Sequence, residues 1–321
     1  MTSMISSPSR RFFGATGFAL ALALALPALA QEAREIRVGY QKTGLPVIAK
    51  GQGTVEKRLA GKGVSVRWVE FTAGPPLLEA MNAGAIDFGF TGDAPPIFAQ
   101  SAGAAIVYVA ALPSNGAGEA IIVKEDSPVA SLADLKGRKL GVTKGSSAHN
   151  LAVAALERAG LGWADITPVY LSPADAGAAF ARGAIDAWSI WDPFFAVAQE
   201  RHKARVLTTS KDVLNVNTYV LANKGYAARN PAALDAVLAG FGDAAAWSDA
   251  NRGEVARTLA EVTGVELKAQ TVAAGRSEFG VFPITDDIIA SQQATADRFH
   301  RLGLIPRAIT IRDAVWVRPQ S

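Results

Sequence analysis

Four short segments carry the side chains best suited to holding a small anion. The densest is Lys144-Gly145-Ser146-Ser147-Ala148-His149-Asn150, where a glycine turn gives way to a helical run. The first N–H groups of a helix have no intrahelical acceptor, and the helix dipole favours negative charge beside them. Ser146 and Ser147 therefore bring hydroxyls and free backbone donors to one place. Serines there can equally do no more than cap the helix, which is worth about 1 kcal/mol. His149, one turn into the same helix, is either a further donor or a packed histidine, and Asn150 adds a carboxamide. The other segments are Gly39-Tyr40-Gln41-Lys42-Thr43-Gly44, Phe90-Thr91-Gly92-Asp93 and Ser189-Ile190-Trp191-Asp192-Pro193. Gln41, Thr91 and Gly92 offer neutral donors. Trp191 offers an apolar face, either as a wall for a ligand body or as core. Trp188, inside the preceding strand, reads as core. Asp93 and Asp192 each stand before a proline-started helix, where capping and loop bracing suit them better than catalysis. An ionised carboxylate facing an anion is repulsive unless another group neutralises it, and Asp192 enters the candidate contacts on that condition.

Catalytic signatures are missing. The chain has no Gly-x-x-x-x-Gly-Lys phosphate loop and no Gly-x-Ser-x-Gly elbow, and Gly51-Gln52-Gly53 lacks the third glycine of a dinucleotide fingerprint. Ser146 and His149 have no identifiable third partner for a triad. With no cysteine and only His149, His202 and His300, thiolate chemistry, disulfides and a histidine-rich metal site are all unsupported.

The elements that must position these segments alternate regularly. Strand-like runs at 35–40, 64–71, 86–90 and 105–111 are separated by helical runs at 47–59, 75–83 and 95–102. The pattern returns as strands at 139–142, 166–170 and 185–190 with helices at 148–159 and 174–181. Such alternation predicts parallel α/β sheets. In a parallel sheet, ligands bind beyond the carboxyl ends of the strands, where all four segments fall. An internal repeat sharpens the reading. Gly84-Ala85-Ile86-Asp87 and Gly183-Ala184-Ile185-Asp186 each end a helix on glycine and enter a strand. Asp93 and Asp192 follow six residues later, each leading to a proline. The pattern predicts two similar lobes facing one cleft. The turn-rich stretch 112–118 and the strand-like runs 119–123 and 217–222 mark where the chain crosses between them, and beyond lie helical runs at 232–246, 252–262 and 286–302.

The first thirty residues read as an export signal. Arg10 and Arg11 precede the apolar run Phe18 to Leu26, and Ala28-Leu29-Ala30 is a small-residue cleavage site. Ser9-Arg10-Arg11-Phe12-Phe13 also has the look of a twin-arginine signal. Those two arginines account for most of the formal charge of +3, so the remainder is nearly balanced. A balanced surface argues against nucleic acid, which calls for a basic face. The reading is of a soluble periplasmic protein with boundaries at 1–30 for the signal, 31–117 with 220–321 for a discontinuous lobe 1, and 118–219 for lobe 2.

Taken together, these motifs resemble the periplasmic aliphatic sulfonate-binding proteins (SsuA type) of ABC importers. The resemblance rests on Gly39-Tyr40-Gln41-Lys42, on Trp68-Val69-Glu70-Phe71 with Ala73-Gly74-Pro75, and on Thr91-Gly92-Asp93 with the run from Pro95 to Gln100. It continues through Lys144-Gly145-Ser146-Ser147, His149-Asn150-Leu151, Ile190-Trp191-Asp192-Pro193, Thr295-Ala296-Asp297 with Phe299, and Ile311-Arg312. It implies an α/β, two-lobed periplasmic-binding protein fold of type II with its ligand cleft between the lobes. The implied ligand is an alkyl sulfonate held by Gln41, Thr91, Gly92, Ser146, Ser147, His149, Asn150, Trp191 and Asp192. No cofactor, metal or catalytic residue is implied. The implied partners are a cognate permease and ATPase, and the implied state is a monomer. The departures cluster at 112–119 and 215–218, where a ligand tail would lie, so taurine, a sulfate ester, nitrate or a thiamine precursor are the alternative solutes. A desulfonating enzyme is the alternative class, although the related desulfinase needs a cysteine nucleophile that this chain does not have.

Overall fold

The computed structural model describes residues 35–318. The stretch read from the sequence as an export signal, with its arginine pair, lies outside them. Two α/β halves follow the predicted alternation. The first opens with β1 (Glu35–Tyr40), α1 (Leu45–Gln52), α2 (Thr54–Leu59), β2 (Ser65–Glu70), α3 (Gly74–Asn82), β3 (Phe88–Thr91), α4 (Ala94–Ser101) and β4 (Ile106–Leu112). The chain then crosses to β5 (Glu119–Val123), β6 (Lys139–Val142), α5 (Ser147–Arg158), β7 (Thr167–Tyr170), α6 (Pro173–Ala181), β8 (Ala187–Trp191), α7 (Phe194–His202), β9 (Arg205–Thr209) and α8 (Ser210–Val213). It returns through β10 (Thr218–Asn223) and closes with α9 (Lys224–Arg229), α10 (Pro231–Ala250), α11 (Arg252–Thr263), α12 (Leu267–Arg276) and α13 (Asp286–Arg301).

The sheets are mixed, which corrects the all-parallel expectation. Their orders are β2-β1-β3-β10-β4 and β7-β6-β8-β5-β9. Strands joined through helices pair in parallel, as β1 does with β2 and β3, and β6 with β7 and β8. The two crossing strands do not. β10 is antiparallel to β3 and β4, and β5 is antiparallel to β8 and β9. Each arrives from the other half instead of through a crossover helix within its own sheet. Their alternation signal is that of any buried strand, so direction was not legible in it. A second difference is local. The expected helix 47–59 breaks at Gly53, whose φ of 61° ends α1 and starts α2.

Helices cover both faces of each sheet, so β4, β5 and β8 are buried along their whole length. In the first half, β1, β3 and β10 pack α1, α2, α10 and α11 on one face, while α3, α4 and α13 cover the other. In the second half α6 and α7 lie on one face and α5 on the other. The internal repeat has a structural counterpart. Gly84 and Gly183 both take a φ of 72°, and each leads to an aspartate that braces the neighbouring parallel strand. Asp87 Oδ2 accepts from Arg37 N at 2.8 Å, and Asp186 Oδ2 accepts from Lys139 N at 2.8 Å. These braces align the carboxyl ends of β1 and β3, and of β6 and β8, which the cleft loops extend. Among the described residues, no helix is long and apolar enough to cross a membrane.

Candidate functional site

The loops at those strand ends enclose a cavity of about 170 Å³, lined by residues from both halves. From the first half come Gln41 after β1, Phe90, Gly92 and Asp93 at β3, and Leu112 at the end of β4. Opposite them stand Ser146 and Ser147 at the start of α5, Trp191 and Asp192 at the end of β8, and Glu119 at the start of β5. The crossing segments 113–118 and 216–218 and the stretch 276–280 after α12 complete the wall.

The start of α5 is built as a donor site. Gly145 has a φ of 74°, which turns the chain so that Ser146 becomes the N-cap. The first intrahelical bond runs from His149 N to Ser146 O at 3.0 Å, so the N–H groups of Ser147 and Ala148 precede the helical ladder. Ser146 Oγ donates to Thr143 O at 2.7 Å and accepts a weaker bond from His149 N at 3.4 Å. Ser146 therefore holds the loop, and Ser147 is the freer hydroxyl. Directly across lies Gly92, where a Cβ would stand 2.6 Å from Ser147 Cβ. Nothing larger than glycine fits there with the two halves this close. Gln41 is buried in the wall and donates from Nε2 to Phe90 O at 3.1 Å.

Three of the expected contacts stand behind the wall instead of on it. Thr91 is fully buried and its hydroxyl donates to Gly92 O at 2.9 Å, which fixes the loop carrying Gly92. His149 sits among aromatic rings, 4.7 Å from Trp163, 6.0 Å from Phe98 and 6.2 Å from Phe299, centroid to centroid. Burial, followed by the charge of Lys144, pushes its pKa down to about 4, so the ring is neutral near neutral pH. Its Nδ1 accepts from Gly145 N at 3.2 Å, so it steadies the serine loop from the rear. Asn150 donates from Nδ2 to Asp93 Oδ2 and accepts at Oδ1 from Arg298 Nη1 at 3.1 Å. It ties α5 to α4 and α13 of the other half. Trp188 is core, and Trp191 both packs in the core and lines the cleft.

The electrostatics of the cleft were only partly legible. Asp93 caps α4 through Ala94 N at 2.8 Å. Burial, then the charge of Glu119, pushes its pKa up to about 7 against the pull of its hydrogen bonds. Asp192 accepts from Ala196 N at 3.0 Å, and burial lifts its pKa to about 6 although Arg276 pulls it down. Arg276 was not anticipated. Its Nη1 lies 3.3 Å from both oxygens of Asp192, and its guanidinium stacks 4.0 Å over Phe195. Among the described residues it is the one lysine or arginine lining the cleft. It lies at the end of a helix far along the chain, with no motif around it to mark it. Glu119 was equally unmarked, as the first residue of an apolar strand. No group of three or more metal-binding side chains occurs among the described residues. Phe90, Leu112, Trp191, Val216 and Phe279 add apolar surface to the cleft wall.

Comparison with known proteins places this geometry in a family. A family model described as NMT1/THI5 like matches residues 59–252. A curated protein of Escherichia coli (strain K12), named for binding aliphatic sulfonates, is 44% identical over 285 residues, 88% of each chain. The crystal structure of the periplasmic aliphatic sulphonate binding protein SsuA from Escherichia coli is similar at a TM-score of 0.81 and 42% identity. That match covers 90% of this chain and 94% of that one. The alkanesulfonate-binding protein SsuA from Xanthomonas axonopodis pv. citri, solved with MOPS bound, is similar at a TM-score of 0.84 and 38% identity, over 89% and 99%. The two mixed sheets with a cleft between them are the two-lobed α/β fold of periplasmic solute-binding proteins.

Proposed function

The chain belongs to the family of aliphatic sulfonate-binding proteins, and we propose that it is the solute-binding component of an ABC importer that captures alkyl sulfonates between its lobes. The observation that carries the reading is the start of α5 opening into an enclosed cleft, with Gly92 of the other lobe pressed against Ser147. A sulfonate has three oxygens and one delocalised charge, so it is matched by several neutral donors and a helix dipole better than by one cation. The Ser147 hydroxyl, the N–H groups of Ser147 and Ala148, and donors at Gly92 and Gln41 supply such a set. Hydrogen bonds to a charged group are worth roughly 1.5–3 kcal/mol each. Four of them give roughly 6–12 kcal/mol gross, which the freedom lost on association reduces, so the ~8 kcal/mol of micromolar binding calls for burial of an apolar tail as well. Phe90, Leu112, Trp191 and Phe279 are placed for that tail, and Arg276 adds a positive charge to the wall.

Because donors come from both lobes, a ligand that satisfies them favours their closed arrangement. The closed form is what a permease and its ATPase would select. We assign 31–117 with 220–321 to one lobe, 118–219 to the other, and residues 1–30 to a cleaved export signal, with the working protein a periplasmic monomer. It performs no chemistry on its ligand in this reading. Calorimetric titration of the mature chain, in a buffer that is not a sulfonate, tests the substrate class. Saturable one-to-one binding of ethanesulfonate through octanesulfonate, in preference to sulfate, nitrate and taurine, supports it. Heat from another of these solutes and none from alkyl sulfonates overturns it, and release of sulfite from a bound ligand would make the protein an enzyme.

A further inference from the structure

The carboxyl of Glu119 is out of place in a site for anions. It lines the cleft as the first residue of β5, nine-tenths buried, between the starts of α5 and α8. Ser210 Oγ donates to its Oε2 at 2.6 Å, while Oε1 is buried without a hydrogen-bond partner. Ser147 lies near enough for its hydroxyl to favour the ionised form of Glu119. Among the described residues no ion pair to Glu119 is formed, and the lining arginine, Arg276, is engaged by Asp192. Two further carboxyl groups share its surroundings. Asp93 stands across the cleft and Asp192 at the end of the paired strand β8, while α5 brings no charge in its first turn and Lys211 of α8 is exposed.

Ser147 has one hydroxyl proton and two claimants. An ionised Glu119 draws that proton to itself, and a sulfonate at the start of α5 needs the same proton. An unpaired buried carboxylate next to a bound anion is doubly unfavourable, since burial and like charge both oppose ionisation. We propose that Glu119 belongs to the anion site as a neutral acid: the sulfonate is accommodated only with a proton on this carboxyl, so ligand capture takes up a proton. Once neutral, Glu119 releases the Ser147 hydroxyl to the ligand and removes one negative charge from the wall. The inference rests on the sulfonate reading and adds a residue that discriminates among its ligands. A solute carrying a cationic nitrogen against this wall would keep Glu119 ionised and would take up no proton. Burial raises the pKa of Glu119 from its ordinary value, in the direction the inference needs.

The test is calorimetry of hexanesulfonate binding to the mature protein, from mildly acidic to alkaline pH, in non-sulfonate buffers of differing ionisation enthalpy. Wild type should take up a proton on binding, and its affinity should fall as pH rises past the Glu119 midpoint, approaching roughly tenfold per pH unit for one linked proton. Glu119→Gln, which is neutral at every pH, should bind with a flatter profile and a proton uptake smaller by nearly one. Ser210→Ala removes a donor that favours the ionised form and should move the fall in affinity to higher pH, and it carries the assignment if Glu119→Gln does not fold. Binding without proton uptake overturns the inference and leaves the functional reading intact. Full uptake retained in Glu119→Gln overturns it too, by placing the proton on Asp93. Tighter binding of taurine than of hexanesulfonate, lost in Glu119→Gln, would show Glu119 acting as a carboxylate. Absence of binding by every sulfonate removes the functional reading and this inference with it.

Discussion

Gly92 and Ser147, from opposite lobes, approach until a Cβ on the glycine would lie 2.6 Å from Ser147 Cβ and 3.0 Å from its Oγ. Neither atom can yield easily, because Ser147 begins a helix and Thr91 pins the loop before Gly92. Gly92→Ala should fold normally but hold the lobes apart at the start of α5. Overpacking of this kind costs about 1–3 kcal/mol, a loss of affinity of roughly 5- to 150-fold. Calorimetry with a denaturation curve alongside checks it, and unaltered affinity would mean that the lobes need not close this far.

Replacing Ser146 and Ser147 together by alanine should weaken sulfonate binding at least ~10-fold, about 1.4 kcal/mol. The two positions differ in how. Ser146 caps α5 and its hydroxyl is spent on Thr143, so its loss should also destabilise the fold by about 1 kcal/mol. Ser147→Ala alone should cost affinity with little change in stability. The reverse pattern in the single mutants would reassign the ligand contact.

Trp191→Ala should separate ligands by length. The ring lines the cleft as part of its apolar surface. Burial of tail methylenes is worth about 0.8 kcal/mol each when complete, so octanesulfonate should lose at least about 1 kcal/mol more than ethanesulfonate. Equal losses across the series would place Trp191 in the core alone.

The buried histidine gives a pH signature of stability. In the native state His149 is neutral down to about 4, whereas the unfolded chain protonates it below about 6.5. Its contribution is full above about 6.5 and lost as pH falls towards 4, up to about 3 kcal/mol. Asp93 and Asp192 act in the opposite sense. Their native pKa values, near 7 and 6, are raised, so what they contribute is full below about 4 and lost as pH rises through those values. Comparing wild type with His149→Gln isolates the histidine. The glutamine variant should lose less stability between pH about 6.5 and about 4 in chemical denaturation, and parallel curves would contradict the assignment.

Most of the scaffold was legible because it is written in local patterns. Strand β5 spans the same 119–123 that its strand-like run marks, and the Gly-Ala-Ile-Asp repeat marks the same helix exit and the same aspartate brace in both sheets. Direction was not legible for β5 and β10, since pleat alternation is the same either way up. In the site, the loops holding Gln41, Gly92, Ser146, Ser147, Trp191 and Asp192 converge as their strand-end positions predict. His149 and Asn150 share the helix of the two serines, yet both side chains are taken up by protein partners, His149 steadying the serine loop and Asn150 joining the lobes. Arg276 and Glu119 reach the cleft through tertiary packing alone. One ends α12 and the other starts an apolar strand, and neither neighbourhood contains a motif.

The most direct test of the account is a crystal structure of the mature chain grown with hexanesulfonate in a buffer free of other sulfonates. The account predicts the sulfonate group against the first turn of α5, within hydrogen-bond reach of Ser147 and the Gly92 loop, with its tail along Trp191 and Phe90. A ligand held elsewhere in the cleft, its charged group paired with Arg276 and no contact to Ser147, would contradict it.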